Sequence, residues 1–176
     1  FLELLWPREG DFIITTTMPN PTYDSEDDAP PPTPYLSVIR VIYGSRVGAL
    51  SKNCDGTLTL PPLFVPEKSR CLCAADAKLI SVDVDEGTDA RFASPIERHL
   101  NWSADPSGKV ALAGTHHDVL ILVAIDLDGN EQWRFADPSA TDSWVAGQPP
   151  VGAASGRLVA LTSQRVLAFD AGQLAW

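Results

Sequence analysis

The chain has 176 residues, a formal net charge of −10, 44% hydrophobic residues, 15 prolines and 12 glycines. That length can bury one sizeable core, and so many turn formers suit short strands. The acidic balance excludes the basic surface that nucleic acid requires, and no apolar run reaches the about 18 residues of a membrane helix, so no membrane insertion is expected.

In chain order, Phe1 to Trp6 reads as a first strand, Gly10-Asp11 and FIITTT as a second, and Leu36 to Val41 as a third, with a turn at Tyr43-Gly44. Between them lies MPNPTYDSEDDAPPPTP, residues 18–34. Its prolines interrupt a ladder, and Asp24, Glu26, Asp27 and Asp28 repel one another, so an exposed, flexible acidic insertion is expected. It reads as a tolerated surface insertion or as a docking segment for a basic partner, with the prolines keeping it extended.

Asn53 to Gly56 then reads as a turn, followed by strands over Leu58–Val65, Cys71–Ala75 and Leu79–Asp83 and a turn at Glu86-Gly87. Asp128-Gly129-Asn130 marks another hairpin, because glycine tolerates positive φ. The tail repeats the scheme: Arg157–Ser163, Val166–Asp170 and Gln173–Trp176 are short runs separated by turn residues.

These segments recur. An offset of 87 carries Pro149 onto Pro62, Arg157 onto Arg70, Arg165 onto Lys78 and Asp170 onto Asp83. An offset of 43 carries Arg134-Phe135 onto Arg91-Phe92, Pro138 onto Pro95 and Asp126 onto Asp83, and it separates Trp133 from Trp176. A period in the low forties is that of a propeller blade, one small sheet that must stack on its neighbours. The expected fold is an all-β propeller of about four blades of four antiparallel strands, part of a larger ring. The blades fall at about 1–50, 51–92, 93–135 and 136–176.

Gly156, Arg157, Ala168, Asp170, Gly172 and Trp176 resemble the blade pattern of the pyrroloquinoline-quinone (PQQ-like) propeller family. Ser103, Asp105 and Gly108-Lys109 resemble a turn of WD40-type blades. The first resemblance brings a quinoprotein oxidoreductase fragment as an alternative. Such enzymes need an adjacent cysteine pair, a calcium site and a complete ring, whereas here Leu72 separates Cys71 from Cys73. A second alternative resembles the propeller lipoprotein of bacterial outer-membrane protein insertion.

Little else carries chemistry. Cys71 and Cys73, two apart on one strand, share a face but are badly placed to bridge each other, and Cys54 adds no ligand pair. Buried free thiols favour a reducing compartment, so a cytoplasmic setting is expected, with a periplasmic one as the alternative. The chain does not begin with methionine, and Phe1-Leu2-Glu3 is no signal peptide, which reads as a processed product or part of a longer polypeptide. GAASG at 152–156 lacks nucleophile-elbow spacing. Asp83, Asp126 and Asp170 belong to different blades, each ending a third strand where a carboxylate can accept turn N–H groups. Trp133 and Trp176 are expected between neighbouring sheets. The sequon at Asn101 is discounted because it sits on an innermost strand.

His116-His117-Asp118 is the one dense group of metal-capable side chains, but neighbours on a strand face opposite ways, so no metal site is assigned. Extra residues around Thr115 to Asp118 are expected in the same connection as the acidic insertion, on one rim. The candidate partner-binding rim is therefore Asp24, Glu26, Asp27, Asp28, His116, His117 and Asp118. The expected function is a non-enzymatic scaffold or protein-interaction module. It takes no cofactor, and a protein partner or a second copy completes the ring.

Overall fold

The computed structural model describes residues 2–8, 11–18, 33–42, 45–54, 56–138, 142–145, 147–152 and 157–175, with side-chain surroundings at 36–37 and, within those ranges, from 50 onward. Their strands form four antiparallel four-stranded sheets, each in simple chain order. Sheet I holds β1 (Leu2–Arg8), β2 (Asp11–Met18), β3 (Thr33–Ile42) and β4 (Ser45–Asn53). Sheet II holds β5 (Leu58–Val65), β6 (Arg70–Ala75), β7 (Lys78–Asp83) and β8 (Asp89–Ala93). Sheet III holds β9 (Arg98–Ala104), β10 (Val110–His116), β11 (Val119–Ile125) and β12 (Glu131–Asp137). Sheet IV holds β13 (Val151–Gly152), β14 (Arg157–Leu161), β15 (Val166–Asp170) and β16 (Gln173–Leu174).

Strand alternation explains how the sheets stack. The middle strands of sheets II and III are apolar through their centres apart from Ser81, with polar residues otherwise at their ends, as suits strands covered on both faces. On sheet II, Cys71, Cys73, Ala75, Ile80 and Val82 face sheet I and pack with Leu36 and Cys54. The intervening Leu72, Ala74 and Leu79 face sheet III and meet Val110, Leu112, Ile121 and Val123. The other side of sheet III, through Ala113, Leu120 and Leu122, packs on Ala160, Leu167 and Phe169 of sheet IV. First strands approach in sequence, β1 to β5, β5 to β9 and β9 to β13, so they share one inner side. This is the architecture of part of a β-propeller.

Each junction carries the same small interlock at the turn between third and fourth strands. Gly129, at φ +85°, lies so close to the Phe92 ring on β8 that a Cβ would come within 2.5 Å of Cγ. Gly172, at φ +87°, sits in the same way over Trp133 on β12, again with 2.5 Å to Cγ. Gly87 is the looser counterpart over Leu50, at 3.4 Å from a methyl carbon. Glycine is needed twice over here, for the left-handed backbone and for the close approach. Trp133 also stacks on Phe169 with centroids 5.6 Å apart, while Phe135 meets Phe169 edge-on at 5.0 Å. The expectation that Trp133 packs between sheets therefore holds. Trp176 lies outside the described residues.

Two expectations change. The acidic insertion, read as residues 18–34, is narrower: Met18 pairs with Thr33 and Thr17 with Pro34, so these residues belong to the β2–β3 ladder. A proline is tolerated at a strand's opening, where a missing N–H costs least. The connection around Thr115 to Asp118 holds no extra residues. Thr115 and His116 remain in β10, His116 pairs with Val119, and His117 and Asp118 form a two-residue turn at φ 48° and 61°. Positive φ at both positions matches the hairpin geometry that suits the strands' twist.

Candidate functional site

The rim proposed from sequence is half visible. Asp24, Glu26, Asp27 and Asp28 lie outside the described residues. His116, His117 and Asp118 sit at the β10–β11 turn, which joins second to third strand just as the acidic segment joins β2 to β3. The His116 and His117 rings are 4.4 Å apart by centroid and tilted by 57°. The backbone N–H of His117 donates to Glu97 Oε2 at 3.1 Å. That hydrogen bond, aided by the nearby His117 and His116 rings, holds the exposed Glu97 carboxyl below its usual range. Among the described residues no three His, Cys, Asp or Glu side chains converge as a metal cage.

The aspartates at strand ends do structural work. Asp83 Oδ1 accepts the N–H groups of Asp85 and Glu86 at 3.0 and 2.8 Å, and Asp126 Oδ1 those of Asp128 and Asn130. Asp105, at the β9–β10 turn, does the same for Ser107 and Lys109. Asp170 instead faces Arg157 at 3.5 Å. Asp83, Asp105 and Asp126 each lock a different turn and Asp170 pairs with an arginine, so none of these four carboxylates is coupled to another for acid–base work.

Three buried polar centres escaped the sequence reading. Asp142 accepts from Ser143 N, Ser163 Oγ and Arg165 Nε at 2.8–2.9 Å, and Arg165 also pairs with Asp137. Burial works against its charge, but hydrogen bonds from Thr162, Arg165 and Ser163 outweigh it and hold the carboxyl well below the ordinary range. His99 lies between Thr59 Oγ1 at 2.7 Å and Ser94 Oγ at 2.6 Å, and burial lowers its pKa. Trp144 is buried and donates from Nε1 to Gly114 O at 2.8 Å, tying the long β12–β13 connection to sheet III. Each polar group links neighbouring segments rather than lining an opening. Asn101 is also engaged, its Nδ2 donating to Val145 O at 2.9 Å.

The three cysteines are free and buried. A hydrogen bond with Cys73, then burial, pushes the Cys54 thiol far above its usual pKa. The bond with Cys54 favours a Cys73 thiolate, but the one with Cys71 and burial leave it well raised. Neutral, enclosed thiols are poor nucleophiles and poor metal ligands.

What remains is a surface. The register of sheet IV places Val151, Val159 and Ala168 in one row and Leu161 with Val166 in the next row of the same face. Val151 is 65% exposed, Val166 48%, and Val159 and Leu161 37% each. The opposite face of the sheet buries Ala160, Leu167 and Phe169. No described residue covers the first face. A cleft beside it, lined by Asp105, Lys109, Trp133, Gly152 and Arg157, separates sheets III and IV. The apolar reading of RLVAL marked the strand, yet only sheet order reveals which alternate residues lack a neighbour.

No protein-family model matches the chain, and no curated protein matches it. Solved structures do. An acylaminoacyl peptidase from Pyrococcus horikoshii superposes over 99% of this chain with a TM-score of 0.59 and 10% identity. AztD from Citrobacter koseri, in its apo form, does so over 99% with a TM-score of 0.58 and 15% identity. This chain spans only 32% and 58% of those two chains. At such identities the likeness concerns fold, and both neighbours are propeller folds: the four sheets are those of a propeller, shared with larger proteins.

Proposed function

We propose that the chain is a non-enzymatic propeller segment that acts as a protein-interaction scaffold, completed by protein on the bare face of sheet IV. The observation that carries this reading is the exposed row of Val151, Val159, Leu161 and Val166 on a sheet whose other face is core. Sheets II and III are covered on both sides, and contiguous apolar surface on a soluble protein marks an interaction site. The blade pattern supports membership of the PQQ-like or WD40-like propellers. Three enclosed thiols favour a reducing, cytoplasmic setting, and the acidic segment suits a basic partner.

Two measurements test the reading. The chain is expected to associate as its concentration rises in light scattering, and Val159→Lys with Leu161→Lys should abolish that association while leaving the strand circular dichroism unchanged. Association that survives the double substitution would sink the interaction face. Adding pyrroloquinoline quinone and calcium, then desalting, should leave no quinone absorbance on the protein. Retained absorbance would replace the scaffold with the quinoprotein alternative.

A further inference from the structure

We infer that Thr59, His99 and Ser94 form a proton-operated clasp between sheets II and III, in which the Thr59 hydroxyl turns from His99 to Ala74 O when the ring takes a proton. His99, buried on β9, meets Thr59 Oγ1 of β5 through Nδ1 at 2.7 Å and Ser94 Oγ, in the β8–β9 connection, through Nε2 at 2.6 Å. Each hydroxyl carries one hydrogen and has a second acceptor in reach. Thr59 Oγ1 lies 3.2 Å from Ala74 O on β6, and Ser94 Oγ lies 2.9 Å from Ile96 O. A neutral imidazole has one N–H and one bare nitrogen, so one hydroxyl must give its hydrogen to the ring and forgo its carbonyl. Imidazolium has two N–H groups, so both hydroxyls accept from the ring and donate to their carbonyls. All four contacts are then met at once.

Ser94 is the fixed partner. Its oxygen also accepts the Ile96 N–H at 3.1 Å, and its carbonyl contact is shorter than that of Thr59. Ser94 therefore keeps its hydrogen on Ile96 O and accepts from Nε2, while Thr59 donates to Nδ1 of the neutral ring. Thr59 is exposed where His99 is buried, which makes Nδ1 the nitrogen that a proton from solvent reaches. Among the described residues, β5 and β13 carry no titratable side chain, and β10 carries only His116, two residues beyond Gly114, the ladder partner of His99. In the connection before β9, Glu97 is taken up by the His117 N–H, and Arg98, next to His99 on the strand, points to the opposite side. Burial with no charged partner opposes the imidazolium, so the clasp is neutral at neutral pH and turns in acid.

Imidazole nitrogen–proton correlation spectra of the isotope-labelled 176-residue chain read both the tautomer and the titration, with His99 assigned by the signals lost in His99→Gln. At about pH 8 the wild-type ring should carry its hydrogen on Nε2, and in acid Nδ1 should take the second with a midpoint below about 6.5. Thr59→Val keeps the side-chain shape and removes the hydroxyl. The tautomer should then stay, and the midpoint should fall by about half a unit or more, because a hydrogen bond from the charged ring is stronger than one to the neutral ring. Thr59→Ser should restore the wild-type midpoint. Should Thr59→Val lose its strand circular dichroism, Thr59→Ala replaces it, with the midpoint expected to move in the same direction. A hydrogen on Nδ1 in the wild-type ring at about pH 8, or a midpoint that loss of the Thr59 hydroxyl leaves unchanged or raises, overturns the clasp.

Discussion

Both faces of sheet IV carry aliphatic side chains, the outer one with Arg157, Ala168 and Asp170 among them, yet the larger side chains differ in exposure. One face puts Leu158, Ala160, Leu167 and Phe169 against Trp133, Phe135 and Leu122 of sheet III. The other carries Val151, Val159, Leu161 and Val166 in the open. Alternating side chains on five-residue strands separate them, so the difference arises from sheet order and not from local hydrophobicity. Hydrophobic content therefore tells where a strand is, while its neighbours decide whether a given residue stabilises the fold or a complex.

Substitutions can break this comparison on either side. The largest effect is expected for Phe169→Ala on the covered face, about 3–5 kcal/mol in urea unfolding, because the cavity lies between two sheets. A loss below about 1 kcal/mol would mean that the III–IV junction is loosely packed. Next comes Asp142→Asn, which weakens several charge-assisted hydrogen bonds, at about 1.5–3 kcal/mol. Because its folded pKa is depressed, the stabilisation is present above the ordinary carboxylate range and lost as pH falls through the folded value. The Asp142→Asn chain should accordingly show a shallower decline in stability below about pH 4 than wild type.

Gly172→Ala should cost about 1–3 kcal/mol, from the left-handed backbone and the Trp133 ring beneath it. An equal loss from Ala substitution at Gly147, where φ is also positive but nothing lies within 4 Å, would remove the ring contact as the cause. A smaller change is expected at His99. Its lowered pKa means that neutral imidazole is favoured in the fold, so stability falls as pH drops below about 6.5. His99→Gln should flatten the melting temperature between pH 7 and 5, and an unchanged slope would assign the decline to other groups. Smallest is Val159→Lys on the bare face, within about 0.5 kcal/mol of wild type in the isolated chain.

Much of this was readable in the chain itself. The strands at Leu58–Val65 and Val166–Asp170 and the turn aspartates depend on neighbours a few residues away, and the 43-residue spacing shows when the chain is laid against itself. The Gly129–Phe92 and Gly172–Trp133 contacts join residues nearly a full repeat apart. The glycines signal turns and the aromatics signal core, but nothing local says that one sits on the other. His99 and Trp144 were missed for a similar reason, since their partners Thr59 and Gly114 lie on other strands and Ser94 in the connection before β9. The rim at His116–Asp118 was misjudged in length because a two-residue turn of His and Asp, both at positive φ, lacks the usual glycine.

One-sided burial of sheet IV also sets the order in which the molecule opens. In a stack of repeats each unit draws stability from its nearest neighbours, and sheet IV has one described neighbour and a two-residue first strand. Its amide hydrogens should exchange with solvent faster than those of β6, β7, β10 and β11, which are enclosed on both sides. Anything that settles on the bare face would slow that exchange first at β14 and β15, so the end sheet is also the molecule's own reporter of occupancy.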